Sequence, residues 1–172
     1  MFVDEAGFYL LPAVVATYAP VGETPVLREL FTRDHLSAIS AVTPEGQLRM
    51  QVYEEAITGT QVVRFLEHLA RRLPGGKFWI FWDGASIHHS REVQQFLAMA
   101  PAGRFRVEQL PGYAPDLNPD EGIWQYLKHV ELRNVCCASL QHLRDALREA
   151  AIRLCTKPAI IQGCVREAGY HV

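Results

Sequence analysis

The segment Lys77–Asp83, KFWIFWD, is five consecutive large apolar residues closed by an acid. It is too short and too aromatic for a helix, and it lacks the apolar/polar alternation of a strand with one wet face, so it predicts a strand buried on both faces. Such strands occupy the middle of sheets covered by helices. Asp83 is then placed at the strand's carboxyl end, where an unpaired charge beside Phe, Trp and Ile would be costly. The flanking segments agree. Thr58 reads as the N-cap of TQVVRFLEHLARRL, in which Val62, Val63, Leu66, Leu69 and Leu73 recur at helical spacing before Pro74-Gly75-Gly76. A second helix is expected from about Ser90 to Met99, then a short strand from Arg104 to Leu110, giving a β-α-β alternation.

Upstream, five short segments read as strands of an antiparallel meander: FVDEAGFYL, AVVATYA, PVLRELF, HLSAISAV and LRMQVYEE, with turn signals at Pro20-Val21-Gly22 and Thr43-Pro44-Glu45-Gly46. Downstream, the loop LPGYAPDLNP leads into a helix with Asn118 as N-cap and Pro119 in its first turn, where a missing N–H costs nothing. That helix carries Glu121, Trp124 and Lys128 down one side. A last helix over Leu140–Leu154 and a short segment after Pro158 close the chain. The sum is an α/β fold, a mixed sheet flanked by helices.

With 172 residues, 49% hydrophobic and 21% charged, the chain is expected to be a single domain with a full core, and disordered, collagenous and coiled-coil classes are excluded. No apolar run reaches the roughly 18 residues of a membrane span, and the acidic start MFVDEAGF does not resemble a signal peptide, so a cytoplasmic protein is expected. Cys136, Cys137, Cys155 and Cys164 lack metal-site spacing and read as small buried residues. The formal charge of −2 is unusual for a chain that grips nucleic acid unaided.

Sites in open α/β sheets gather at strand ends, so Asp4, Asp83 and Glu121, far apart in sequence, are candidates to converge. Three close carboxylates repel one another and raise a pKa unless cations neutralise them, and hard oxygen ligands favour Mg²⁺, with Mn²⁺ as substitute. The alternative is that each acid is solvated or capping. Strand alternation lets only one of Asp4 and Glu5 face such a cluster, and the helical rotation of about 100° per residue does the same for Asp120 and Glu121. Periodicity leaves both choices open.

The blocks FVDEAGF, FWDGASIHHS and LPGYAPDLNPDEGIWQYLK, in that order, resemble those of the DDE transposases of the insertion-sequence branch related to mariner elements. That family shows D-E-x-G-F, then D-(N or G)-A-x-x-H, then Y-(S or A)-P-x-L-N-P-x-E-x-x-W-x-x-L-K. TYAPVGETPVLR and HLSAISAVTPEG are also similar, so the resemblance spans roughly residues 1–155. It implies a ribonuclease H-like fold and a metal-binding catalytic triad of Asp4, Asp83 and Glu121, with 37 residues between the last two. It implies metal-dependent DNA strand cleavage and strand transfer, with element ends and target DNA as partners and a homodimer or larger assembly on DNA, nucleoid-associated when bound. His88 matches the family's His after the second acid, as a donor near phosphate or in support of the site. Asn118 and Lys128 are further candidates for support, with helix-start chemistry and a solvated lysine as their plainer roles. Trp124 is read as packing its helix on the sheet. Arg71, Arg72 and Lys77 either contribute to a DNA path or form a solvated helix end.

The family's amino-terminal helix-turn-helix region has no counterpart in these residues, so a catalytic half is expected. Two alternatives stand beside the enzyme: a truncated, non-autonomous fragment acting as an interaction module or inhibitor, and another ribonuclease H-like nuclease.

Overall fold

The computed structural model describes residues 1–11, 16, 18–23, 26, 33–112 and 114–171. Its centre is a five-stranded sheet in the order β3-β2-β1-β4-β5. Strands β1 (Phe2–Tyr9), β2 (His35–Val42) and β3 (Leu48–Tyr53) form an antiparallel meander. The turn after β2 closes with the Thr43 N–H donating to the Gln47 carbonyl at 3.0 Å, and Gly46 takes φ 84°, open to a residue without Cβ. The expected strands AVVATYA and PVLRELF fall largely outside the described residues.

Helix α1 (Gly59–Arg72) then crosses over to β4 (Phe78–Trp82), which runs parallel to β1 with Phe2 opposite Phe81. A turn of 3-10 helix (Ser86–His89), α2 (Arg91–Met99) and β5 (Phe105–Gln109) complete the parallel part. Helices α3 (Pro119–Tyr126), α4 (Leu140–Cys155) and α5 (Pro158–Glu167) follow. Two features go beyond the sequence reading. The segment after Pro158 is a full helix, and α3 continues into a π turn over Leu127–Glu131, closed by the Leu132 N–H on the Leu127 carbonyl at 2.9 Å.

The sheet separates two apolar clusters, as strand alternation requires. Val3, Ile39, Ala41, Phe78, Ile80 and Trp82 pack against α1 and α2. Phe8, Ala38 and Val42 pack on the other face beneath α3, α4 and α5. These last helices cover the meander but not β4 and β5, and this corrects one expectation. Strand β4 is buried on one face only: Trp79 is 50% exposed and Phe81 is half-buried, the indole being sheltered by Phe81 and by the Arg106 guanidinium 4.6 Å from its ring. The cysteines also divide, with Cys137 and Cys164 buried, Cys136 half-buried and Cys155 exposed at the end of α4. No helix among the described residues is long and apolar enough to cross a membrane.

Candidate active site

The parallel pairing of Phe2 with Phe81 brings Asp4 level with Asp83, two residues further along each strand. Helix α3 lies across β1 and β2 on the same face as Asp4. Its start is set by Asn118, whose Oδ1 accepts the Asp120 N–H at 3.2 Å, and by Pro119 in the first turn. Asp4, Asp83, Asn118 and Glu121 thereby line one cleft, together with Gln109 and the loop Leu110–Gly112.

Each acid has its own environment. Asp4 is buried, and its Oδ2 accepts the Trp124 indole N–H at 3.0 Å. Burial foremost lifts its pKa from an ordinary 3.8 to about 7; the Trp124 bond opposes this, while the charges of Glu5 and Glu121 add to it. Asp83 departs from expectation. It lies past the strand's end with its side chain 52% exposed, so it is solvated rather than trapped among aromatics, and its Oδ1 accepts the Ala85 N–H at 2.9 Å. Glu121 is exposed in the first turn of α3.

The neighbouring acids part as periodicity demands. Glu5 turns to the opposite face of β1, where its Oε1 lies 3.1 Å from His88 Nε2. Asp120 turns inward and is fully buried, its Oδ1 accepting the Ser40 hydroxyl and its Oδ2 without a hydrogen-bond partner among the described residues. Burial foremost, with the charges of Asp4, Glu5 and Glu121, raises its pKa well above the carboxylate range, against the Ser40 bond. Asp120 and Trp124, one helical turn apart, thus reach Ser40 and Asp4, which are paired across β2 and β1. Sequence reasoning missed these two bonds because they join residues 80 and 120 positions apart.

Of the candidate supporting residues, Asn118 lines the cleft while capping α3, and His88 stands behind Asp83. The His88 ring is buried against Trp82 with centroids 4.4 Å apart and planes within 9°. Burial alone would lower its pKa, but the hydrogen bond and charge of Glu5, with Asp83, raise it above the usual value. Lys128 does not join the site. It lies about two helical turns beyond Glu121, with Nζ 5.2 Å from the Phe8 ring centroid, beside an apolar pocket lined by Leu11, Leu132 and Leu143. Lys77 directly precedes β4, and Arg71 and Arg72 end α1 just before it, so all three stand at the end of that strand opposite Asp83.

Among the described residues no three His, Cys, Asp or Glu side chains are gathered so as to hold a metal ion. The chemistry of the donors fits a hard divalent cation: three carboxylates, Asp4, Asp83 and Glu121, line one cleft.

Known proteins resemble this chain in sequence and in fold. Over 66 residues the chain is 39% identical to an uncharacterized 39 kDa protein of insertion element IS630 from Shigella sonnei, a match covering 38% of this chain and 19% of that protein. The catalytic domain of Mos1 mariner transposase superposes with a TM-score of 0.56 at 17% identity, over 99% of this chain and 83% of that one. A Mos1 paired-end complex solved with Mn gives 0.64 at 18% identity, over 99% of this chain and 56% of that one. The likeness to Mos1 establishes a mixed sheet flanked by helices of the ribonuclease H-like kind, and this chain spans about half of the full Mos1 chain. The profile of the DDE superfamily endonucleases matches residues 1–144, and the chain belongs to that family.

Proposed function

We propose that this chain is a single catalytic domain of a transposase, cleaving and joining DNA strands with Mg²⁺, or Mn²⁺ in its place, in the bacterial cytoplasm. The observation that carries the reading is the single cleft lined by Asp4, Asp83 and Glu121, one acid from each of three separate sequence blocks. These three carboxylates would hold the metal. When bound, two such ions supply charge to activate a water or 3′-hydroxyl and to stabilise the departing oxygen of an in-line phosphodiester displacement. The chain's own part is positioning. Trp124 anchors one oxygen of Asp4, the Ala85 N–H anchors one oxygen of Asp83, and the Asn118 cap sets the first turn that presents Glu121. Complexes of Mos1 with its transposon end, and structures of that protein with Mg and Mn, support DNA and a divalent cation here.

The test is nicking of supercoiled plasmid by the purified chain in Mg²⁺ or Mn²⁺. Cleavage is expected for the parent chain and lost in Asp83→Asn and Glu121→Gln with folding retained. Equal nicking by parent and variants would overturn the reading.

A further inference from the structure

His88 is buried behind the cleft, where no phosphate can reach it, yet it contacts two acids from different elements, Glu5 on β1 and Asp83 in the loop after β4. Its Nδ1 lies 3.1 Å from Asp83 Oδ1 and also 3.1 Å from the Asp83 carbonyl, while its Nε2 lies 3.1 Å from Glu5 Oε1. Glu5 is adjacent to Asp4 on β1 but on the other face. The chain of contacts Glu5–His88–Asp83 therefore ties β1 to the loop after β4 at the level where Asp4 and Asp83 meet.

We propose that His88, locked in orientation by Glu5, is a positioning residue that fixes the Asp83 carboxylate for metal binding; this rests on the reading of Asp83 as a ligand. The Asp83 side chain is half exposed and would otherwise be held by the Ala85 N–H alone among the hydrogen bonds of the described residues. Oδ1 accepts the Ala85 N–H, and the His88 Nδ1–H, which donates to the Asp83 carbonyl, stands 3.1 Å from that same oxygen, so Oδ2 is left for the cleft. The ring needs its own restraint, because flipping it on the flat Trp82 surface would exchange nitrogen for carbon toward Asp83. Glu5 supplies that restraint, with a side chain only 15% exposed. A histidine kept for packing alone would not require a second carboxylate brought in from across the sheet. Partners that orient metal-binding side chains in this way typically alter metal affinity about 10- to 100-fold when removed.

The experiment is Mn²⁺ titration of the whole chain by calorimetry at fixed pH, with melting temperature without metal measured in parallel. The variants are His88→Asn, His88→Gln, Glu5→Gln and Asp83→Asn. The amide nitrogen of Asn falls near the place of Nδ1 and can still donate to Asp83, whereas that of Gln falls near Nε2 and cannot. The expected result is Mn²⁺ affinity weakened about tenfold or more in His88→Gln, largely kept in His88→Asn, and reduced several-fold in Glu5→Gln, in an order unrelated to melting temperature. Affinities of His88→Gln and Glu5→Gln within about twofold of the parent would overturn the inference while leaving the triad intact if Asp83→Asn still abolishes binding. Losses that simply track melting temperature would also overturn it. Unchanged binding in Asp83→Asn would overturn the triad reading and this inference together.

Discussion

Replacing Asp4 by Asn should stabilise the metal-free protein at neutral pH and flatten its dependence on pH. In the folded chain the carboxyl is buried among like charges and titrates near 7 rather than 3.8. Its folded pKa is raised, so between these values the native state binds a proton that the unfolded state releases, and stability falls as pH rises through that window. The shift from 3.8 to about 7, at about 1.4 kcal/mol per pH unit, gives a ceiling of about 4 kcal/mol above pH 7 and nothing below about pH 4. Asn keeps an oxygen to accept the Trp124 N–H and never ionises. The variant should therefore match the parent at pH 4 and exceed it at pH 8, by up to about 8–16 °C in melting temperature at about 2–4 °C per kcal/mol. Saturating Mn²⁺ should reverse the order, because the ligand that costs stability without metal is the one that binds it. Thermal melts from pH 4 to 8 with and without Mn²⁺ provide the assay. A difference between parent and Asp4→Asn that stays constant across this range would refute the electrostatic reasoning.

Three further outcomes are expected from thermal melts. Ser40→Ala removes the only donor that the described residues offer to the buried Asp120 carboxyl, whose other oxygen has no partner among them, and should cost about 1–3 kcal/mol. Trp124→Phe keeps the edge-on contact with Phe8 but takes the indole N–H from Asp4; a loss of about 1–2 kcal/mol is predicted, and no loss would mean that this bond is dispensable. At Gly59 any Cβ would run into the Ser90 hydroxyl, which caps α2 by accepting the Val93 N–H, so Gly59→Ala should cost about 1–3 kcal/mol despite the better helix propensity of Ala.

What the sequence discloses about this protein is mostly what local patterns encode. The FWIFW run, the 3.6-residue spacing after Thr58 and the Asn118-Pro119 helix start are each visible in a few consecutive residues, and each element stands where those patterns put it. Even the neighbour relation of Asp4 and Asp83 follows from a meander and one crossover helix. Other features depend on distant partners. Whether Trp79 is covered is decided by where α3 to α5 settle, and nothing in its own strand reveals that. The burial of Asp120 depends on Ser40, and the anchoring of Asp4 on Trp124. The π turn over Leu127–Glu131 comes from a single shift in hydrogen bonding with no residue signature. Periodicity leaves the choice of Asp4 over Glu5 and of Glu121 over Asp120 open; the family resemblance favours Asp4 and Glu121, and of these four acids those two line the cleft.

The central claim is that three acids from three sequence blocks form one metal site. Diffraction from crystals soaked in Mn²⁺, recorded at a wavelength where manganese scatters anomalously, tests it most directly. Anomalous peaks are expected in the cleft between Asp4, Asp83 and Glu121, within ligand distance of at least two of these carboxylates. Manganese bound elsewhere with this cleft empty at saturating Mn²⁺ would contradict it.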